Sequence, residues 1–136
     1  MTKNQYRMLV LSGIAVAIVA GLVDIVFGLI PRELYMQLYM RDLDADHVLM
    51  LIASIVLLPM FVAGLYGTLR FRRWAPKFNI IFAILILLFL VADGAPWAQS
   101  GVSRALDFLA SYMHALALML PFLHRDVKRM FWPTED

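Results

Sequence analysis

The stretch RALDFLASYMHALALML, Arg104 to Leu120, has the apolar bulk of a membrane-crossing helix, yet it holds Arg104, Asp107, Ser111 and His114. These positions are separated by three, four and three residues. On a helix such steps place all four on one stripe, while Leu106, Phe108, Leu109, Met113 and Leu116 cover the other faces. The pattern predicts a helix with one side turned to protein or water and the remainder suited to lipid. Arg104 and Asp107 are close enough in register to pair near one end, with Ser111 and His114 deeper.

The rest of the chain agrees with a membrane setting. Of its 136 residues 62% are hydrophobic and only 16% charged, and the mean hydropathy is +0.78. Soluble domains run near ~45–50% apolar and ~25% charged. The length fits one domain. There is no Cys, which excludes disulfides, thiolate metal sites and cysteine nucleophiles. No basic run interleaved with aromatics suggests nucleic acid.

A helix needs about 20 mostly apolar residues to cross a bilayer. Four segments qualify: Met8–Ile30, Val48–Leu69, Phe78–Ala95 and Val102–Leu123. Short connections force sequential neighbours antiparallel, so the expected fold is an all-α membrane protein, a four-transmembrane-helix antiparallel bundle. The first segment follows Lys3 and Arg7 as a secretory signal would, but its apolar run is too long for one and is expected to be retained. Nine of the 12 Lys and Arg residues lie before the first span, between the second and third, or after the fourth; only Arg32, Arg41 and Arg104 lie on the opposite side. Such an excess marks the cytoplasmic side, so both termini are expected there, in a bacterial inner membrane.

Between the first two spans, PRELYMQLYMRDLDADH carries Leu34, Tyr35, Leu38 and Tyr39 at helical spacing after Pro31. It predicts a short interfacial helix anchored by the tyrosines, with Asp42, Asp44 and Asp46 as candidate caps for the second span. Trp74, Trp97 and Trp132 are expected as further interfacial anchors. The acidic cluster is no calcium loop, since the sixth and twelfth positions from Asp42 are His47 and Ala53 where Gly and Glu are needed. Pro59 predicts a kink that frees the Ile55 carbonyl.

Asp24, in GLVDIVFGLIP, lies roughly 9 Å below the outer end of its span. A carboxylate at that depth is costly unless paired, hydrated or protonated. Gly13, Ala17, Gly21 and Gly28 stand beside it at steps of four and seven, a spacing that lets helices approach closely, so Asp24 is expected to face a polar residue of the third or fourth span. Asp93 ends the third span, and His47 opens the second with Ser54 on the same face. Asp24, His47, Asp93, Arg104, Asp107 and Ser111 all fall in the outer leaflet, with His114 near the middle. They form the candidate ligand- or ion-binding set, and no metal is assigned. Each also has a purely structural use: capping for His47, interfacial solvation for Asp93, pairing for Asp107, interhelical hydrogen bonding for Asp24 and His114.

DIVFGLIPRELY and the basic turn LRFRRWAPKFN resemble the DoxX-like group of small four-helix bacterial membrane proteins, which have a polar residue late in the first helix and a longer loop after it. The resemblance implies the four-helix architecture over the whole chain and carries no catalytic residue with it. Three functions stay open. The first is a non-enzymatic bundle, a homo-oligomer or subunit of a larger membrane complex with an outward-facing polar pocket for a ligand or partner. The second is a small transporter or channel coupling protons or cations through Asp24 and His114. The third is a membrane enzyme using Asp24, Asp107 and His114 as acid/base groups on a lipid or quinone. No motif names a cofactor.

Overall fold

A computed structural model describes the backbone of residues 1–31, 33, 46–93 and 99–133, and the side chains of these except 46–54, 92 and 93. Among the described residues there are five helices and no strand: α1 (Lys3–Phe27), α2 (Asp46–Leu69), α3 (Ala75–Asp93), α4 (Gly101–Leu123) and α5 (Arg125–Phe131). α1 and α4 are long and apolar enough to cross a membrane; the described apolar stretches of α2 and α3, Ile55–Leu69 and Ala75–Val91, are shorter. The interfacial helix expected over Pro31–His47 lies for the most part outside the described residues, with Tyr35, Tyr39, Asp42 and Asp44, and so does Trp97. Two compact units emerge, one of Met1–Met40 with Trp97–Asp136, the other of Arg41–Pro96.

In the first unit, α1 starts at Lys3, ahead of the expected Met8. The cause is a capping box: Thr2 Oγ1 accepts from the Gln5 N–H (3.2 Å) and Gln5 Oε1 accepts from the Thr2 N–H (2.7 Å). The helix stops at Phe27, short of Ile30, because Gly28 turns left-handed at φ 59°. The N–H groups of Gly28 and Leu29 both return to the Asp24 carbonyl, closing the helix on that residue.

α1 packs against α4, and the pairing of Tyr6 with Ala117 and Asp24 with Ser100 makes the two antiparallel. The seam on α1 runs through Tyr6, Val10, Gly13, Ala17, Ala20 and Asp24; on α4 it runs through Ser103, Leu106, Ala110, Met113 and Ala117. These alternating steps of three and four keep one face toward the partner. A Cβ on Gly13 would come within 3.3 Å of the Met113 Cβ, so the backbones are close there. The small-residue face expected from the sequence is corrected at Gly21 and Gly28. Gly21 is exposed with nothing within 4 Å, and Gly28 ends the helix. Repeated steps of four drift around a helix of 3.6 residues per turn, so Gly21 leaves the seam that Gly13 and Ala17 share.

α5 was not anticipated. Val127 and Phe131 on its inner side are buried, and the Phe131 ring meets Tyr6 edge-on at 5.7 Å. Tyr6 in turn donates from its hydroxyl to the Ala117 carbonyl at 2.8 Å.

The second unit is a helical hairpin. Phe71 takes a left-handed φ of 52°, the Arg72 N–H donates to the Gly67 carbonyl (2.8 Å) and the Phe71 N–H to that of Thr68 (3.1 Å). This is the Schellman closure, made with Phe where Gly is usual. Gly67 leaves room for α3 to start: a Cβ there would stand 2.6 Å from the Trp74 ring and 2.9 Å from the Ala75 Cβ. Buried Thr68 donates to the Gly64 carbonyl (2.8 Å) and accepts from Asn79 Nδ2 (2.7 Å). Pro59 is accommodated within α2.

Candidate functional site

The polar centre of the first unit is built where α1 ends and α4 begins. Ser100 is the N-cap of α4, and its hydroxyl accepts from the Ser103 N–H at 3.1 Å. That leaves the hydroxyl proton and the Ser100 N–H pointing outward, and the half-buried Asp24 carboxylate takes both. One carboxylate oxygen accepts from the N–H at 3.0 Å; the other accepts from the hydroxyl. A carboxylate at a helix N-terminus meets unpaired N–H groups and the positive end of the helix dipole. One turn on, the buried Ser103 hydroxyl donates to the Ala20 carbonyl at 2.8 Å.

Asp24 was expected to meet a polar residue of the third or fourth span; its hydrogen-bond partner is instead Ser100, two residues ahead of the expected start of the fourth span at Val102. Ser100 and Ser103 were not among the candidates. The signal for Ser100 was present in the sequence: a Ser before an apolar run is a common helix start.

The remaining candidates are distributed as follows. Arg104, Asp107 and Ser111 are exposed, and His114 is half-buried. They form a row beside the α1 seam and outside it, since α1 is met by the neighbouring positions 103, 106, 110, 113 and 117. The expected pairing of Arg104 with Asp107 is corrected. Asp107 accepts from Gln99 Nε2 at 2.8 Å, and Arg104 has no ion pair among the described residues. Gln99, just ahead of the helix, takes the place expected of Arg104 as the partner of Asp107. His114 is the member of the row that reaches α1: its Nε2 would lie 3.5 Å from a Cβ at Gly13, an ordinary van der Waals distance. The side chains of His47 and Asp93 lie outside the described residues.

Two further features concern polar chemistry. The Nδ1 of His124, between α4 and α5, is buried without a hydrogen-bond partner among the described residues. No group of three His, Cys, Asp or Glu side chains gathers to hold a metal among the described residues. Trp74, expected as an interfacial anchor, packs edge-on against Phe78 at 5.3 Å while remaining partly exposed.

No protein-family model, characterised protein or solved structure matches this chain.

Proposed function

We propose that the chain is a small integral membrane protein, a four-span bundle with both termini cytoplasmic in a bacterial inner membrane. In this reading it acts without chemistry of its own, as a homo-oligomer or accessory subunit whose outward-facing polar face receives a ligand or a partner protein. Kinship with the DoxX-like group belongs to the same proposal and rests on layout.

The observation that carries the reading is the exposed row Arg104, Asp107 and Ser111 on an otherwise apolar α4. A charged row on a spanning helix is stable only against water or another polar surface, while α1 occupies a different face. Large exposed apolar side chains such as Ile25, Val26 and Phe27 on α1 supply the lipid-facing counterpart, since water-soluble monomers rarely expose apolar patches beyond a few hundred Å². Asp24 supports the non-transport reading, because its carboxylate is engaged in holding the start of α4.

The test is a purified chain in proteoliposomes and in detergent. The expected result is no proton or cation flux above empty vesicles, together with a defined oligomer or co-purifying membrane partner that Arg104→Ala with Asp107→Ala disperses. Flux abolished by Asp24→Asn would replace this reading with coupled transport.

A further inference from the structure

We propose that the outer face of α5 is a seat for the phosphate of an anionic phospholipid, with Arg125, Lys128 and Arg129 as its ligands. The inference rests on the membrane reading above and adds a ligand class and a site to it. α5 has two sides. Val127 and Phe131 are fully buried, and Phe131 meets the Tyr6 ring, which is itself tied to the Ala117 carbonyl. Arg125, Lys128 and Arg129, at steps of three and one, are exposed on the opposite side and have no ion pair among the described residues. The acidic residue of this helix, Asp126, is turned to the Met1 ammonium at 3.3 Å. Three cations are thus presented side by side on a helix whose position is set by packing, with little of the ordering cost a flexible basic tail would carry.

Charge alone would suit any anion; the neighbouring surface selects a lipid. The last turn of α4 exposes Phe122 and Leu123, the latter 75% accessible, and the basic row begins two residues later at Arg125. Trp132 sits on that boundary, its ring 5.7 Å from Phe122, as an interfacial aromatic does. Apolar surface meeting a cation cluster across one helix junction matches the step from acyl chain to phosphate in a phospholipid. A soluble phosphate would have no use for the apolar half. Basic residues beside an acidic membrane surface each contribute about fivefold in affinity.

The full chain in neutral-detergent micelles is given phosphatidylglycerol, phosphatidylcholine or inorganic phosphate. Retained lipid is counted by native mass spectrometry, and the thermal midpoint is read in parallel. The expected result is a preference for phosphatidylglycerol over phosphatidylcholine of about tenfold or more, lost in the triple variant Arg125→Gln, Lys128→Gln, Arg129→Gln. It should persist in Arg125→Lys with Arg129→Lys, where the charge remains. Equal retention of both lipids by the wild type overturns the proposal. So does a triple variant that folds and keeps the preference, or inorganic phosphate matching the stabilisation by lipid. A wild-type chain that carbonate wash releases from membranes overturns the membrane reading as well; one that stays bound but shows no preference overturns the α5 seat alone.

Discussion

The α1–α4 pair and the α2–α3 hairpin hold two helices together by different means. In the hairpin a short turn sets the register, and the polar contact that reinforces it, Asn79 to Thr68, spans only 11 residues of sequence. In the other pair no short connection can set register. Contacts 76 and 111 residues apart do so instead, Ser100 to Asp24 at one end and Tyr6 to Ala117 at the other. Side chains thus do for a distant pair what a turn does for an adjacent one. Asp24, which looks anomalous in an apolar sequence, is placed accordingly, at one end of the long-range seam.

The comparison breaks most readily at Asp24. Asp24→Leu removes both acceptors at the α4 cap, and we expect it to lower the thermal midpoint in micelles by at least about 10 °C, the largest loss of the series. Asp24→Asn, which keeps one acceptor, should fall between it and the wild type. In the hairpin, Gly67→Ala pushes a methyl into Trp74 and Ala75 and is expected to cost about 1–3 kcal/mol, read by reversible unfolding in mixed micelles. If it were harmless, turn packing would not set the hairpin register. Tyr6→Phe removes the hydroxyl bonded to Ala117 and should cost about 1 kcal/mol; Phe131 should become more accessible to labelling in its neighbourhood if the far-end lock matters. The smallest contrast is the sharpest test of the seam. Gly13→Ala meets Met113 and His114 and should weaken the pair, whereas Gly21→Ala meets nothing and should be neutral or gain up to about 1 kcal/mol from helix propensity. Equal effects would mean that the seam does not follow the alternation of three and four.

Helices were legible in the sequence because apolar runs of spanning length leave few alternatives, and Asp24 was legible as a residue in need of a partner because charge in such a run is costly. Which partner it takes was harder to see. Ser100 and Ser103 are small, neutral and common, and they matter because they stand at the start of a helix that meets α1 in one register. The polar row 104, 107, 111 and 114 is visible by spacing, but the face that packs on α1 lies one position away, on small residues such as Ala110 and Ala117 that carry little signal. α5 was hidden for a different reason. RDVKRMF is charged and short, and its helix depends on burying Val127 and Phe131 against a residue near the opposite end of the sequence. Thr2 and Gln5, by contrast, spelled out a helix start that the apolar pattern alone placed too late.

Asp24 lends its main-chain oxygen to finishing one helix and its carboxylate to starting another. Under the proposed membrane reading this imposes a chronology on biogenesis. The nascent first helix must carry an acid without its mate until the ribosome has delivered Ser100. Chains arrested before that point keep a bare carboxylate, and they should be degraded faster than the finished protein unless Asp24 is replaced by leucine.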